Sequence, residues 1–70
     1  MSSSIFVASG LSRGMHSFLA RSALRLKQWE VAQLAGVPQW AVSHYERDRY
    51  VPPSWRTRID VALERAGRDE

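Results

Sequence analysis

"QLAGVPQWAVSHYE", running from Gln33 to Glu46, is the stretch on which the fold turns. It reads as the end of one helix, a stop, and an immediate second helix. Gly36 supplies the stop, because glycine enters the left-handed conformation at a helix end without a Cβ penalty. Val37 is placed to fold back onto that end. Pro38 suits the first turn of the next helix, where its missing N–H costs no hydrogen bond. In that helix, expected from Pro38 to Arg47, Val42 and Tyr45 lie three apart and face inward with Ala41. Gln39, Trp40, Ser43 and His44 then point outward. A bulky Trp40 on an outward face needs a reason.

Upstream, a helix is expected from Gln28 to Ala35. Val31, Leu34 and Ala35 form its inner face, and Ala32 is small where another helix must come close. Before it, a first helix is expected from about Gly14 to Arg25, with Ser12 as N-cap. Met15, Leu19, Ala23 and Leu26 recur at helical spacing and read as its buried stripe, widened by Phe18. Arg13, Arg21, Arg25 and His16 lie off that stripe. Downstream, "ERDRYVPPS" is a loop in which Asp48 tolerates a left-handed backbone better than most residues. Ser54 is the expected N-cap of a last helix from Trp55 to Ala66. Trp55, Ile59, Ala62, Leu63 and Ala66 form its stripe, Gly67 stops it, and Val61 falls off the stripe, where an exposed apolar patch would suit a dimer interface.

Length and composition bound the rest. Seventy residues make one domain at most. A chain this short buries only about 60% of its unfolded surface, so it depends on tight packing, self-association or a partner. With no cysteine, disulfides and thiolate metal sites are excluded, and His16 and His44 alone make no metal site. No cofactor is expected. Residues 1–58 carry eight Lys/Arg and three acids, net +5; residues 59–70 carry two Arg and four acids, net −2. A basic body points to a polyanion, since phosphate contacts supply most nonspecific binding energy. No apolar run approaches the roughly 20 residues of a membrane span. "MSSSIFVASG" lacks the basic leader of a secretion signal, so a cytoplasmic location is expected. Residues 1–12 read as a flexible arm whose Ile5, Phe6 and Val7 need a cover, 13–67 as the domain, and 68–70 as a short tail. There is no Ser-His-Asp arrangement, no phosphate-cradling glycine loop and no carboxylate pair in an apolar setting. Neither an enzyme nor a small-molecule substrate is expected.

Two short helices joined by a tight turn, the second amphipathic with a hydrogen-bonding outer face, make a helix-turn-helix pattern. The stretch "LKQWEVAQLAGVPQWAVSHYERDRYVPPS", Leu26 to Ser54, resembles the Cro/C1-type (XRE-like) helix-turn-helix family of phage repressors and bacterial regulators. With the flanking helices the resemblance covers about residues 14 to 66. It implies an all-α, compact four- to five-helix lambda-repressor-like domain. It implies a Cro-like repressor that binds a palindromic double-stranded DNA operator as a homodimer. By resemblance, Gln39, Trp40, Ser43 and His44 take base-contacting positions. Gln28, Lys27, Arg47, Arg49 and Tyr50 take positions on the phosphate backbone. Glu46 resembles an acid that pairs with an arginine of the first helix, here Arg21. Gly36 is the motif turn.

The residues support this chemistry in part independently. A glutamine at position 39 can reach adenine N6/N7 in a bidentate contact, and an outward aromatic such as Trp40 can meet thymine methyls or sugar. Trp40 has a plainer reading too, packed over Pro38 or the preceding helix. Trp29 could cover the "IFV" segment, stack on an arginine or approach the DNA backbone. For the whole chain the competing class is a protein-interaction module, such as an antitoxin or a phage protein binding a host factor. The three residues after Gly67 are short for a toxin-binding tail, while the apolar arm leaves that class open.

Overall fold

A computed structural model describes residues 11–68, which form four helices and no strand: α1 (Arg13–Ala23), α2 (Gln28–Ala35), α3 (Gln39–Glu46) and α4 (Pro53–Arg68). The arm with Ile5, Phe6 and Val7, and residues 69–70 of the tail, lie outside the described residues. The all-helical class read from the spacing is the class observed. The core is built from Val31, Ala32 and Ala35 of α2, Ala41, Val42 and Tyr45 of α3, and Ile59, Ala62 and Leu63 of α4, closed by Val37 and Val51 from the connectors. No helix among the described residues is long and apolar enough to cross a membrane.

The expected stripe of α1 is wrong. Met15, Phe18 and Leu19 are 42%, 41% and 46% exposed, Ala23 is exposed, and Leu26 is only half-buried. The inward side instead carries Gly14 and Ser17, with Ala20, Arg21 and Leu24 partly buried. Backbone proximity is the cause. A Cβ on Gly14 would press into the carbonyl oxygen of Tyr45, and would lie 2.8 Å from the Glu46 carbonyl oxygen and from Asp48 Oδ1. α1 comes so near the end of α3 that only small residues fit between them, and the large apolar side chains turn outward. Ser12 caps α1 as expected, its hydroxyl accepting from the Met15 N–H at 3.1 Å. The helix ends at Ala23, two residues early, because Arg25 adopts φ 59° in the turn that follows.

α2 has the expected bounds. Gly36 ends it at φ 72°, ψ 37°, and the Gly36 and Val37 N–H groups both donate to the Ala32 carbonyl, at 2.9 and 3.0 Å. This satisfies a helix-end carbonyl that would otherwise lack a partner. Leu34, expected inside, is 61% exposed. α3 and α4 both pack on the side of α2 that carries Val31, Ala32 and Ala35, which leaves Leu34 on the rim beside Val61 of α4. Val61 is exposed, as its place off the stripe implied.

α3 is one residue shorter at each end than expected. Pro38 holds an extended backbone, φ −66° and ψ 153°, immediately before the helix, and Arg47 immediately follows it. α4 is longer. It starts at Pro53, a residue suited to a first helical position, so Ser54 lies inside the first turn instead of capping it. The Trp55 N–H donates to the Pro52 carbonyl at 2.9 Å. Gly67 does not stop α4, which runs through it to Arg68.

The two glycines of α1 and α4 make opposite predictions. Gly14→Ala forces two backbones apart and should cost about 1–3 kcal/mol in urea unfolding. Gly67→Ala, whose Cβ would meet nothing within 4 Å among the described residues, should raise stability by about 0.4–1 kcal/mol through the unfolded chain. Equal effects from the two substitutions would refute the close approach of α1 and α3.

Candidate nucleic-acid interface

The sequence places its candidate contacts on the outer side of α3, at the start of α2 and in the loop after α3. α3 buries Ala41, Val42 and Tyr45, while Gln39 and Trp40 remain exposed and Ser43 and His44 are half-buried. α3 is held from both neighbours. The Tyr45 hydroxyl donates to Asp60 of α4 at 2.9 Å, and Arg13 of α1 reaches the same carboxylate at 3.2 Å. Burial pushes the Tyr45 phenol up from its ordinary value, and its hydrogen bond to Asp60 pushes in the same direction.

The same C-terminal end of α3 is also tied by charge. Arg21 Nε and Nη2 donate to the two oxygens of Glu46, at 2.5 and 3.0 Å, a fork that matches carboxylate geometry. Both side chains are largely buried, 14% and 6% exposed. Arg21 Nη1 donates to the Leu26 carbonyl at 2.9 Å, and Gln28 Nε2 donates to Glu46 Oε1 at 3.1 Å. One carboxylate thus joins α1, the first residue of α2 and the last residue of α3. The expected Arg21 and Glu46 pairing is present. Gln28 is half-buried and has part of its hydrogen-bonding capacity committed to Glu46.

The cations gather around this joint. Lys27 and Arg47, which flank the bonded Gln28 and Glu46 in sequence, are both exposed. The chain then turns back on itself. Asp48 adopts φ 61°, and the Arg49 N–H donates to the His44 carbonyl at 2.8 Å. Arg47, Arg49 and Tyr50 are therefore held against the C-terminal end of α3 with exposed side chains, where cations also complement the helix dipole.

Trp40 is held in part by other aromatic rings. It is 49% exposed. Its covered part meets Trp55, at 5.6 Å between ring centroids, and His44, edge-to-face at 5.1 Å. Trp55, read as core, is partly buried against the core and also forms this contact. Trp29 is half-exposed on the first turn of α2.

Three participants were missed. Trp55 meets Trp40 across fifteen residues of sequence, which no helical period encodes. Asp48 was read for its backbone alone, yet its carboxylate accepts from the Ser12 hydroxyl at 2.7 Å and the Gly14 N–H at 3.1 Å, anchoring the loop to α1. Arg58 Nη1 donates to the Gly36 carbonyl at 3.3 Å, reaching from α4 to the turn before α3. No protein-family model, no curated protein and no solved structure matches this chain.

Two measurements probe how α3 is held. Glu46→Ala leaves Arg21 buried without its partner and should cost about 3–5 kcal/mol in urea unfolding; a loss below 1 kcal/mol would mean the joint is not needed. Tyr45 has a raised pKa, so its contribution is fully present below the unfolded tyrosine value and is lost as pH rises through the folded one. Stability should therefore fall above about pH 10, the ordinary tyrosine value. Tyr45→Phe should flatten that fall; an undiminished fall in the variant would assign it to another group.

Proposed function

We propose that this chain is a sequence-specific double-stranded DNA-binding regulator of the lambda-repressor-like, helix-turn-helix type. In this reading it is a Cro-like repressor acting as a homodimer on a palindromic operator. The observation that carries the reading is the state of α3. Its apolar side is spent on the core and its C-terminal end is braced through Tyr45 and Glu46, yet Gln39 and Trp40 at its first turn stay exposed to solvent. Recognition helices enter the major groove with their N-terminal residues at base edges. Gln39 then reads a base, adenine being the one its amide fits bidentately, and Trp40, Ser43 and His44 complete the base-facing set. Lys27, Gln28, Arg47, Arg49 and Tyr50 bind phosphate and set the register of the helix on the duplex. Gln28 offers its backbone N–H and amide oxygen, since its amide nitrogen serves Glu46.

One unit of this size presents few base contacts. Two copies on half-sites about one helical turn apart supply useful affinity. A second reading, a protein-interaction module, draws on the exposed Met15, Phe18 and Leu19 of α1. The two readings part on Gln39 and Arg49: replacing both should leave partner binding intact and abolish operator binding.

Selection from a random duplex pool at physiological salt tests the reading, because nonspecific binding is weak there. An inverted repeat is the expected product. The absence of any enriched sequence would overturn DNA recognition and favour the interaction module. On the selected site, Gln39→Ala should cost about 1–3 kcal/mol and relax preference at one position per half-site. Arg49→Ala should weaken all sequences alike and reduce the slope of log K against log salt by about one per contact. An unchanged slope removes Arg49 from the phosphate contacts.

A further inference from the structure

Trp40 is a large apolar surface at the place where α3 begins, and two other rings pack against it. Trp55 from the first turn of α4 packs against its ring at 5.6 Å with the planes inclined by 58°, and His44 sits edge-on at 5.1 Å, 68°. Trp55 is itself seated on the core, one turn before the fully buried Ile59. The ring of Trp40 is thereby fixed from two sides while half of its surface stays in water. Offset and edge-to-face aromatic contacts of this kind favour one orientation over its alternatives.

Such a surface has one chemical match in the major groove. Every base edge there offers donors or acceptors, and only thymine adds an apolar group, its 5-methyl. An indole face laid on a cytosine amine or a guanine carbonyl would desolvate it without replacing its hydrogen bond. On the operator-binding reading above, on which this rests, we propose that Trp40 is a thymine reader. It packs on the 5-methyl group of one thymine per half-site, and Trp55 is the positioning residue that holds the ring against it. Gln39, the preceding residue, has an amide matched to adenine, so α3 reads an A·T-rich step through one polar and one apolar neighbour.

The test uses the full chain and the selected duplex, with each thymine replaced singly by uracil, which removes the methyl and leaves every base-pairing group. Binding is followed by fluorescence anisotropy of labelled DNA. One uracil position per half-site should weaken binding about three- to fivefold, the value of one buried methyl. Trp40→Ala, a change at an exposed site, should bind thymine and uracil duplexes equally at that position and keep the wild-type ratio at all others. Trp55→Phe should retain part of the ratio and Trp55→Ala should lose it. A merely structural role of Trp55 would weaken both duplexes and leave their ratio unchanged. If all uracil duplexes bind like the parent, or if Trp40→Ala preserves the ratio, the thymine assignment falls while DNA recognition stands. If selection enriches nothing, both fall together.

Discussion

The arrangement depends on the guanidinium of Arg21. It has three donor nitrogens, and each is used: two on Glu46 and one on the carbonyl of Leu26. A planar fork of fixed geometry holds its partners at fixed angles, which a flexible ammonium would not do. The two acceptors lie on the last residue of α3 and in the turn between α1 and α2, so the fork sets where α3 ends relative to both. Taking the pair out of water is costly, and an apolar replacement could be as stable. Its value here is directional. The outer side of α3 is aimed by it, together with Gln28 at one side and the Asp60 carboxylate at the other.

Small residues set the second constraint. Gly14, Ser17, Ala32 and Ala41 are buried at places where helices meet. Close approach of this kind brings backbone groups within reach of side chains. Asp48 thus caps the Gly14 N–H, and Arg58 reaches the Gly36 carbonyl. Ser17 is the exception, its hydroxyl buried and without a hydrogen-bond partner among the described residues.

The parts of this fold legible from the sequence are those written in local chemistry. Gly36 before Val37 and Pro38 marks the turn, Ser12 marks the start of α1, and the inward Val42 and Tyr45 mark the buried side of α3. The side of α1 was misread because hydrophobic spacing counts large residues, whereas the contact was decided by the absence of a side chain at Gly14. Leu34 was misread for a related reason: an eight-residue helix between two neighbours buries only the side they share. Ser54 and Gly67 show that a good cap or stop residue is a permission: Pro53 starts α4 one residue before Ser54, and the helix runs through Gly67 to Arg68. At the candidate interface, position along α3 predicted the exposure of Gln39 and Trp40, whereas Ser43 and His44, expected outward with them, are half-buried. It did not predict that Trp55 would stand behind one of them, because that contact is tertiary.

The closeness of Trp40 and Trp55 has a further consequence, which is optical. Two indoles with centroids 5.6 Å apart and planes inclined by 58° are near enough for their excited states to couple. Their circular dichroism then carries a paired signal of opposite signs that a lone tryptophan lacks. Trp29 forms no ring pair with either among the described residues, so this signal belongs to the junction of α3 and α4. The chain carries a built-in reporter of that junction, readable without a label.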